Sequence, residues 1–299
     1  MERIFSEIFK ETNIGILHYI ELVRAWNAIL VFVMVLIGFF LVNDSTVNIF
    51  PLFLLGLSFA MMYFGAAATN DISDFKTDKI NAPYRPLQTN RIKLSQAKLI
   101  LFFSYAISLL IALGLSFKIF IIAFLTILLS YFYSAEPFNF KNKLFFGTLD
   151  LAILTIFLPA YAGLVFFLDD FILDSRIEPL LFLTATFFFI ALLKDLKDVF
   201  GDNATNKKTF ATELGPKKTS LLSIAGLLIT IPLTANSFSK FITFDKTIFF
   251  LISAIILFFL ILLALRGFDP NQNKAETVFT FARIGALFFS LFILISLII

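Results

Sequence analysis

Residues 51–78 read PLFLLGLSFAMMYFGAAATNDISDFKTD, an apolar run that ends in a dense group of carboxylate and amide side chains. If the helix of the apolar run continues to its end, Asn70, Asp74 and Asp78 recur every four residues and share one face. Like charges at this spacing repel one another unless a positive charge lies between them. The stretch therefore predicts a helix that crosses an apolar medium and carries an acidic group with a positive partner at its end.

Apolar runs of similar length recur along the whole chain. Hydrophobic residues make up 59% of the 299 residues and charged residues only 15%. A bilayer core needs about 20 apolar residues per helix, whereas a β-barrel would show short alternating segments, and this sequence has none. We predict an all-α integral membrane protein with a single domain over 1–299 and an interfacial helix over 1–19. The nine predicted transmembrane helices are 22–42, 51–71, 96–114, 117–134, 145–167, 180–198, 219–236, 247–266 and 278–298.

The distribution of lysine and arginine predicts how the chain is oriented in a cell membrane. With nine spans, most of these residues fall on the side of the N-terminus and of the even-numbered connections. Basic loops stay in the cytoplasm. The N-terminus and two polar loops that contain acidic clusters, about 72–95 and 195–218, are therefore predicted to be cytoplasmic, and the C-terminus is predicted to lie on the opposite side.

The amounts of cysteine and histidine narrow the possible chemistry. The chain has no cysteine and one histidine, His18, so disulfides, thiolate chemistry and a histidine-cluster metal site are excluded. The formal net charge is only +3. We expect a lipid bilayer as the surrounding medium, no nucleic-acid partner, and no obligatory protein partner.

A second acidic cluster, Asp195, Asp198 and Asp202, closes the sixth span as Asn70–Asp78 closes the second. The matched placement suggests two four-helix halves and a ninth helix around a central cavity. Such clusters have three interpretations: solvated helix ends, an ion pathway, or a divalent cation site. Mg²⁺ prefers oxygen ligands and often binds through carboxylates together with substrate phosphates. Nearby cations such as Lys76 and Lys194 favour this third interpretation, because they are able to hold phosphate oxygens.

The order of these motifs resembles that of a known family. Asn70-Asp71-x-x-Asp74-x-x-x-Asp78, followed by Asp198-x-x-x-Asp202, is similar to the paired aspartate-rich motifs of the UbiA superfamily of intramembrane prenyltransferases. Arg24-x-x-Asn27 is similar to its first-helix motif, although Ala25 replaces the usual proline. Further matches are Asn81-Ala82-Pro83-Tyr84-Arg85-Pro86, Tyr133-Ser134 with Pro137 and Lys141, and Lys208-Thr209.

The resemblance implies a role for each matching residue. Asp74, Asp198 and Asp202 would be the catalytic aspartates, acting as metal ligands and not as acid or base. The full set of implied Mg²⁺ ligands is Asn70, Asp71, Asp74, Asp78, Asp195, Asp198 and Asp202. The implied substrate-binding residues are Arg24, Asn27, Lys76, Arg85, Tyr133, Lys141 and Lys194. Two or three Mg²⁺ ions would bridge the diphosphate of a prenyl donor such as geranylgeranyl diphosphate.

The implied reaction is Mg²⁺-dependent transfer of an isoprenyl chain to a lipophilic or aromatic acceptor within the membrane. Asp78-Lys79-Ile80-Asn81, followed by Pro83 and Arg85-Pro86, is most similar to the archaeal-lipid and chlorophyll-synthase branches. This favours a geranylgeranylglycerol-phosphate geranylgeranyltransferase of archaeal lipid synthesis. The alternatives are a 4-hydroxybenzoate or dihydroxynaphthoate prenyltransferase, a chlorophyll-synthase-like enzyme and, in another class, a cation-coupled transporter.

Overall fold

The computed structural model describes residues 15–42, 48–135, 137–168, 171, 174–268 and 272–299. All regular structure in these ranges is helical. The helices are α1 (Gly15–Leu22), α2 (Ala25–Phe40), α3 (Ile49–Ser73), α4 (Asp78–Asn81), α5 (Leu94–Leu115), α6 (Phe117–Ser134), α7 (Leu144–Ala152), α8 (Leu158–Val165), α9 (Ile177–Ala204), α10 (Phe210–Leu214), α11 (Pro216–Phe238), α12 (Lys246–Arg266) and α13 (Gln272–Ile298). A 3₁₀ turn spans Phe140–Asn142, and a π-helical segment, Ile153–Phe157, joins α7 to α8.

The predicted spans correspond to these helices. Within the described ranges, eight helices or joined segments are long and apolar enough to cross a membrane, and α1 with α2 forms a ninth that bends by 50°. Large apolar side chains such as Leu99, Phe102 and Leu110 of α5 are exposed on the outside of the bundle. Since lipid is the solvent that accepts such a surface, the protein is a multi-pass membrane protein.

Several boundaries differ from those predicted. The first predicted span, 22–42, is broken where Arg24 takes a left-handed conformation with φ of 50°. Most of the predicted interfacial helix, 1–19, lies outside the described residues, and its last part belongs to α1. The predicted loop 195–218 is helical up to Ala204 and again over α10. The aspartates of the second cluster therefore lie on a helix, because α9 continues beyond its apolar part.

The buried side chains form two large clusters that share two helices. One cluster joins α3, α5 and α6, and the other joins α9, α11, α12 and α13. Helices α2 and α8 contribute to both clusters through residues such as Ile37, Val35, Leu164 and Val165. Two groups of helices thus pack on opposite sides of a central pair.

Side-chain oxygen atoms cap the N-terminal ends of several helices. Asn48 accepts a hydrogen bond from the Phe50 backbone N–H at 3.0 Å, and Asp245 accepts one from Ile248 at 2.9 Å. Ser116 caps α6 in the same way through the N–H of Ile119. These bonds satisfy backbone donors that the first helical turn leaves unpaired.

Candidate functional site

The first acidic segment keeps its helical repeat although α3 ends at Ser73. The Asp74 N–H donates to the Asn70 carbonyl at 2.8 Å, and the Asp78 N–H donates to the Asp74 carbonyl at 2.8 Å. The i, i+4 bonds therefore continue through the turn into α4. As a result, Asn70, Asp74 and Asp78 all line one cavity of about 300 Å³.

Asp71 is not among the residues that line this cavity, and its carboxylate forms a buried ion-pair centre beside it. Its side chain is 3% exposed and pairs with Arg24 and, at 3.2 Å, with Arg85. Arg85 also pairs with Asp78. The Asp71 carboxylate thereby links Arg24, in the bend between α1 and α2, to Arg85, in the segment that follows α4.

The second acidic cluster is divided among three environments along α9. Asp198 lines the main cavity. Asp195 lines a small adjoining pocket with Tyr133 and Lys141. Asp202 is 1% exposed and accepts a hydrogen bond from the Asn81 amide at 3.1 Å.

Asn81 connects the two acidic segments directly. Its carbonyl oxygen accepts the Gly201 backbone N–H at 3.0 Å, while its amide group donates to Asp202. A Cβ at position 201 would lie 2.1 Å from the Asn81 Oδ1 atom, so only glycine permits this approach. The end of α9 is thus held against α4 over 120 residues of sequence separation.

Basic side chains balance the carboxylates. Lys141 Nζ lies 2.8 Å from Asp74 Oδ1, and Lys207 Nζ lies 3.7 Å from Asp202 Oδ1. Lys194 of α9, which is half-buried, lies within 3.4 Å of the Tyr133 hydroxyl. At one end of the cavity, carboxylates and ammonium groups therefore lie next to each other.

These contacts shift the protonation equilibria of the groups outside the spans. Burial disfavours the charged form of Asp74, but the Lys141 and Lys207 ammonium groups hold the pKa of that carboxyl below its ordinary value. Burial raises the pKa of Asp78 to about 6, against the opposing effect of Arg85. Burial lowers the pKa of Lys141, which Asp74 opposes. Burial and the charges of neighbouring side chains thus act in opposite directions on all three groups.

A further polar group lies where α2, α3 and α13 meet. The Asn27 amide donates to the Tyr63 hydroxyl at 3.1 Å, and Arg283 Nη1 donates to Asn27 Oδ1 at 3.3 Å. Lys197 and Arg283 both stand over the ring of Phe279. All of these residues line the main cavity.

The remaining wall of the cavity is largely apolar. It is formed by side chains of α2, α3, the π-helical segment, α9 and α13, namely Leu30, Val31, Phe59, Met62, Leu154, Phe187, Ile190 and Leu287. The cavity therefore joins a charged end to an apolar part, as an amphiphilic ligand with a charged head requires.

The structure brings most of the predicted site residues together. The residues that line the main cavity are Arg24, Asn27, Asn70, Asp74, Asp78, Arg85, Tyr133, Lys194 and Asp198. Lys141 and Asp195 line the adjoining small pocket. Asp71 and Asp202 are buried in polar contacts beside the cavity, and Lys76 is exposed on the turn and lines none of these cavities.

The site residues predicted from the sequence did not include Asn81, Lys197, Lys207 or Arg283. Arg283 had a detectable signal, since it is the single charged residue in the predicted span 278–298 and intramembrane charges often mark functional sites. Lys197 and Lys207 resemble ordinary basic residues of a cytoplasmic loop. Asn81 was identified from the sequence only as one position of the motif Asn81–Pro86.

The donor set of the cavity is suited to a hard cation. Asn70, Asp74, Asp78 and Asp198 offer oxygen atoms, which Mg²⁺ prefers. Within the described ranges, no group of three or more His, Cys, Asp or Glu side chains stands close enough to enclose a metal ion. These residues therefore fit a cation that completes its coordination with oxygens of a ligand, and they do not fit a cation held by protein alone.

Comparison with known proteins gives consistent matches over most of the chain. The UbiA prenyltransferase family matches residues 31–293. Two curated relatives are digeranylgeranylglyceryl phosphate synthases. The protein from Sulfurisphaera tokodaii is 30% identical, with 90% of this chain and 95% of the relative covered. The one from Saccharolobus solfataricus is 28% identical, with 90% and 93% covered.

Solved structures show the same fold at lower identity. A UbiA homologue from Archaeoglobus fulgidus bound to GPP and Mg²⁺ matches with a TM-score of 0.71, 24% identity, and coverage of 94% of this chain and 100% of that chain. A digeranylgeranylglyceryl phosphate synthase structure matches with a TM-score of 0.67, 22% identity, and coverage of 95% and 99%.

Proposed function

This chain belongs to the UbiA prenyltransferase family, and we propose that it transfers a geranylgeranyl chain from geranylgeranyl diphosphate to the free hydroxyl of geranylgeranylglyceryl phosphate. The product would be digeranylgeranylglyceryl phosphate, the compound after which its curated relatives are named. The main observation in support of the proposal is that one cavity inside the membrane bundle has both a densely charged end and an apolar wall.

The charged end supplies ligands for a metal-bound diphosphate. Asn70, Asp74 and Asp198 would hold Mg²⁺, with Asp78 as a further ligand, and the number of ions is proposed to be two or three. When bound, Mg²⁺ neutralises the negative charge that develops on the leaving diphosphate. Asp71 and Asp202, which are already bonded to Arg24 and Asn81, would instead hold the surrounding segments in place.

Basic side chains beside the carboxylates would bind the diphosphate oxygens. Lys194 and Arg85 line the cavity, and Lys141 lies against Asp74 from the adjoining pocket. Tyr133, which lies next to Lys194, adds a hydroxyl donor. Such charge-assisted bonds are shorter and about twice as strong as bonds between neutral groups.

The apolar wall would hold the isoprenyl chain and keep water away from the reacting carbon. The allylic C–O bond breaks with its electron pair on the diphosphate oxygen, and the acceptor hydroxyl oxygen forms the new bond to carbon and releases its proton. A dry site protects the allylic cation from hydrolysis, because the acceptor is then the nearest nucleophile.

The chain is proposed to lie in the membrane with its N-terminus and both acidic segments on the cytoplasmic side and its C-terminus opposite. Support comes from the concentration of lysine and arginine on the loops of that side. The diphosphate head would then stay at the cytoplasmic end of the cavity while its tail enters the bundle.

An acceptor panel tests the proposed function. Purified protein in liposomes is given labelled geranylgeranyl diphosphate, Mg²⁺ and either geranylgeranylglyceryl phosphate or 4-hydroxybenzoate. We expect a labelled ether product only with the glyceryl phosphate, and none when the divalent cations are chelated. Efficient transfer to 4-hydroxybenzoate, with no transfer to the glyceryl phosphate, would overturn the acceptor assignment.

A further inference from the structure

Two cations on the α9 and α13 wall of the cavity are positioned by one aromatic ring. Lys197 Nζ lies 5.0 Å from the centroid of the Phe279 ring, and the Arg283 guanidinium carbon lies 4.6 Å from it. Cation–π contacts of this length are attractive, and the attraction is stronger where water is excluded. Phe279 therefore holds two positive charges near each other at the cavity surface.

Polar contacts orient both cations. Arg283 donates to Asn27 of α2, and Asn27 in turn donates to Tyr63 of α3. Lys197 lies 3.8 Å from Asp198, the next residue of α9 and one of the proposed metal ligands. The pair is therefore adjacent to the charged end of the cavity.

The basic residues of the site differ in which pockets they line. Lys141, Lys194 and Lys207 line the small pocket beside Asp195, and Lys194 and Lys207 also line the main cavity. Lys197 and Arg283 line the main cavity but not the small pocket. These two cations also share the Phe279 ring, which places them together on the wall formed by α9 and α13.

An apolar path continues along α13 from Arg283. Ile284, Ala286 and Leu287 follow Arg283 and line the main cavity. With a rise of about 1.5 Å per residue, Leu287 lies about 6 Å farther along the helix than Arg283. A ligand with its charged head at Arg283 would lay its hydrocarbon part against this face.

We propose that Lys197 and Arg283 form the binding site for the phosphate head of the acceptor lipid, with its own isoprenyl chain along α13. This inference rests on the proposed function, in which the acceptor is a glyceryl phosphate. A phosphate monoester carries about −1.5 to −2 charges at pH 7 and would be repelled by a diphosphate in the same cavity. Two cations of its own match that charge and keep the two anionic heads in separate places.

Glutamine variants test the assignment by separating the two substrates. For Lys197→Gln and Arg283→Gln, we expect the KM for geranylgeranylglyceryl phosphate to rise by about tenfold or more, because one charge-assisted bond is lost. The KM for geranylgeranyl diphosphate should change by less than about twofold. Arg283→Lys keeps the charge and should recover part of the affinity. Arg266→Gln, at an exposed position outside the cavities, is the matched control.

An acceptor without phosphate completes the experiment. The wild type should prefer geranylgeranylglyceryl phosphate over geranylgeranylglycerol, and this preference should collapse in both glutamine variants. If the wild type uses the phosphate acceptor while the variants keep the full preference, or lose affinity for the diphosphate instead, the inference is wrong and the proposed function stands. If the wild type transfers nothing to the phosphate acceptor, the proposed function itself fails.

Discussion

Asp74 belongs to both the acidic and the basic part of the site, since its carboxylate lines the cavity and its Oδ1 atom lies 2.8 Å from Lys141 Nζ. Asp74→Asn keeps the side-chain shape but removes the negative charge from the proposed metal site. We expect kcat/KM to fall by about 10²-fold or more, because charge stabilisation of this kind contributes that much to rate. Radiolabelled transfer assays across a range of Mg²⁺ concentrations measure the effect.

The control for Asp74→Asn is Asp245→Asn, an exposed N-cap where asparagine substitutes well. This control should keep full activity and the same Mg²⁺ dependence. An Asp74→Asn protein with normal activity would remove Asp74 from the metal site.

Asp71 serves a different purpose from its neighbour, because its carboxylate lies between Arg24 and Arg85. Asp71→Asn removes the buried carboxylate that pairs with Arg24 and Arg85, while the pair between Arg85 and Asp78 remains. Removing one partner of a buried ion pair costs about 3–5 kcal/mol. We expect a clearly lower melting temperature in detergent. Addition of Mg²⁺ and a prenyl diphosphate should still raise that temperature, whereas Asp74→Asn should lose this rise. If Asp71→Asn kept a normal melting temperature but Mg²⁺ and the prenyl diphosphate no longer raised it, Asp71 would instead be a metal ligand.

At the scale of helices, the contact between α2 and α8 holds the two groups of helices together. A Cβ at Gly163 would lie 2.0 Å from the Val35 carbonyl oxygen, and one at Gly38 would lie 1.7 Å from that of Ala160. Small residues of this kind let membrane helices approach closely. Gly163→Ala should therefore lower stability by about 1–3 kcal/mol, since backbone atoms must move apart. Thermal unfolding followed by circular dichroism measures the loss.

Gly114→Ala is the matched control, because a Cβ at this position of α5 meets no atom within 4 Å. It should leave the melting temperature unchanged or slightly higher. Equal destabilisation by both substitutions would show that the close contact between α2 and α8 is not responsible.

The helices could be predicted from the sequence because each apolar run must satisfy its backbone hydrogen bonds within the bilayer. One irregularity could not be predicted. No glycine or proline marks the break at Arg24, where φ is 50°. Packing determines it, because Arg24 reaches Asp71 of another helix, and that partner is 47 residues away. The π-helical turn at Ile153–Phe157 does have a local signal, since Pro159 lacks the N–H that would bond to the Thr155 carbonyl.

For the whole molecule, the two acidic segments were detectable because charge at the end of an apolar run is unusual. Their meeting could not be derived from either segment alone. Asn81 bonds to Gly201 and Asp202, and Arg283 bonds to Asn27 across 256 residues of sequence. Local patterns show which residues are unusual, but only the packing of both groups of helices shows which of them share a cavity.

Membrane orientation is a property of the whole chain that single cysteines can test, because the protein contains none. Lys79 lies beside the first acidic segment and Lys246 begins α12, and both are exposed. If basic loops stay in the cytoplasm, a membrane-impermeant maleimide should label Lys79→Cys only in inside-out vesicles and Lys246→Cys only in right-side-out vesicles. Both variants should react fully after detergent solubilisation, which controls for local accessibility. The reverse labelling pattern would place the acidic segments outside the cytoplasm, and the prenyl diphosphate would then have to reach the cavity from the other side of the membrane.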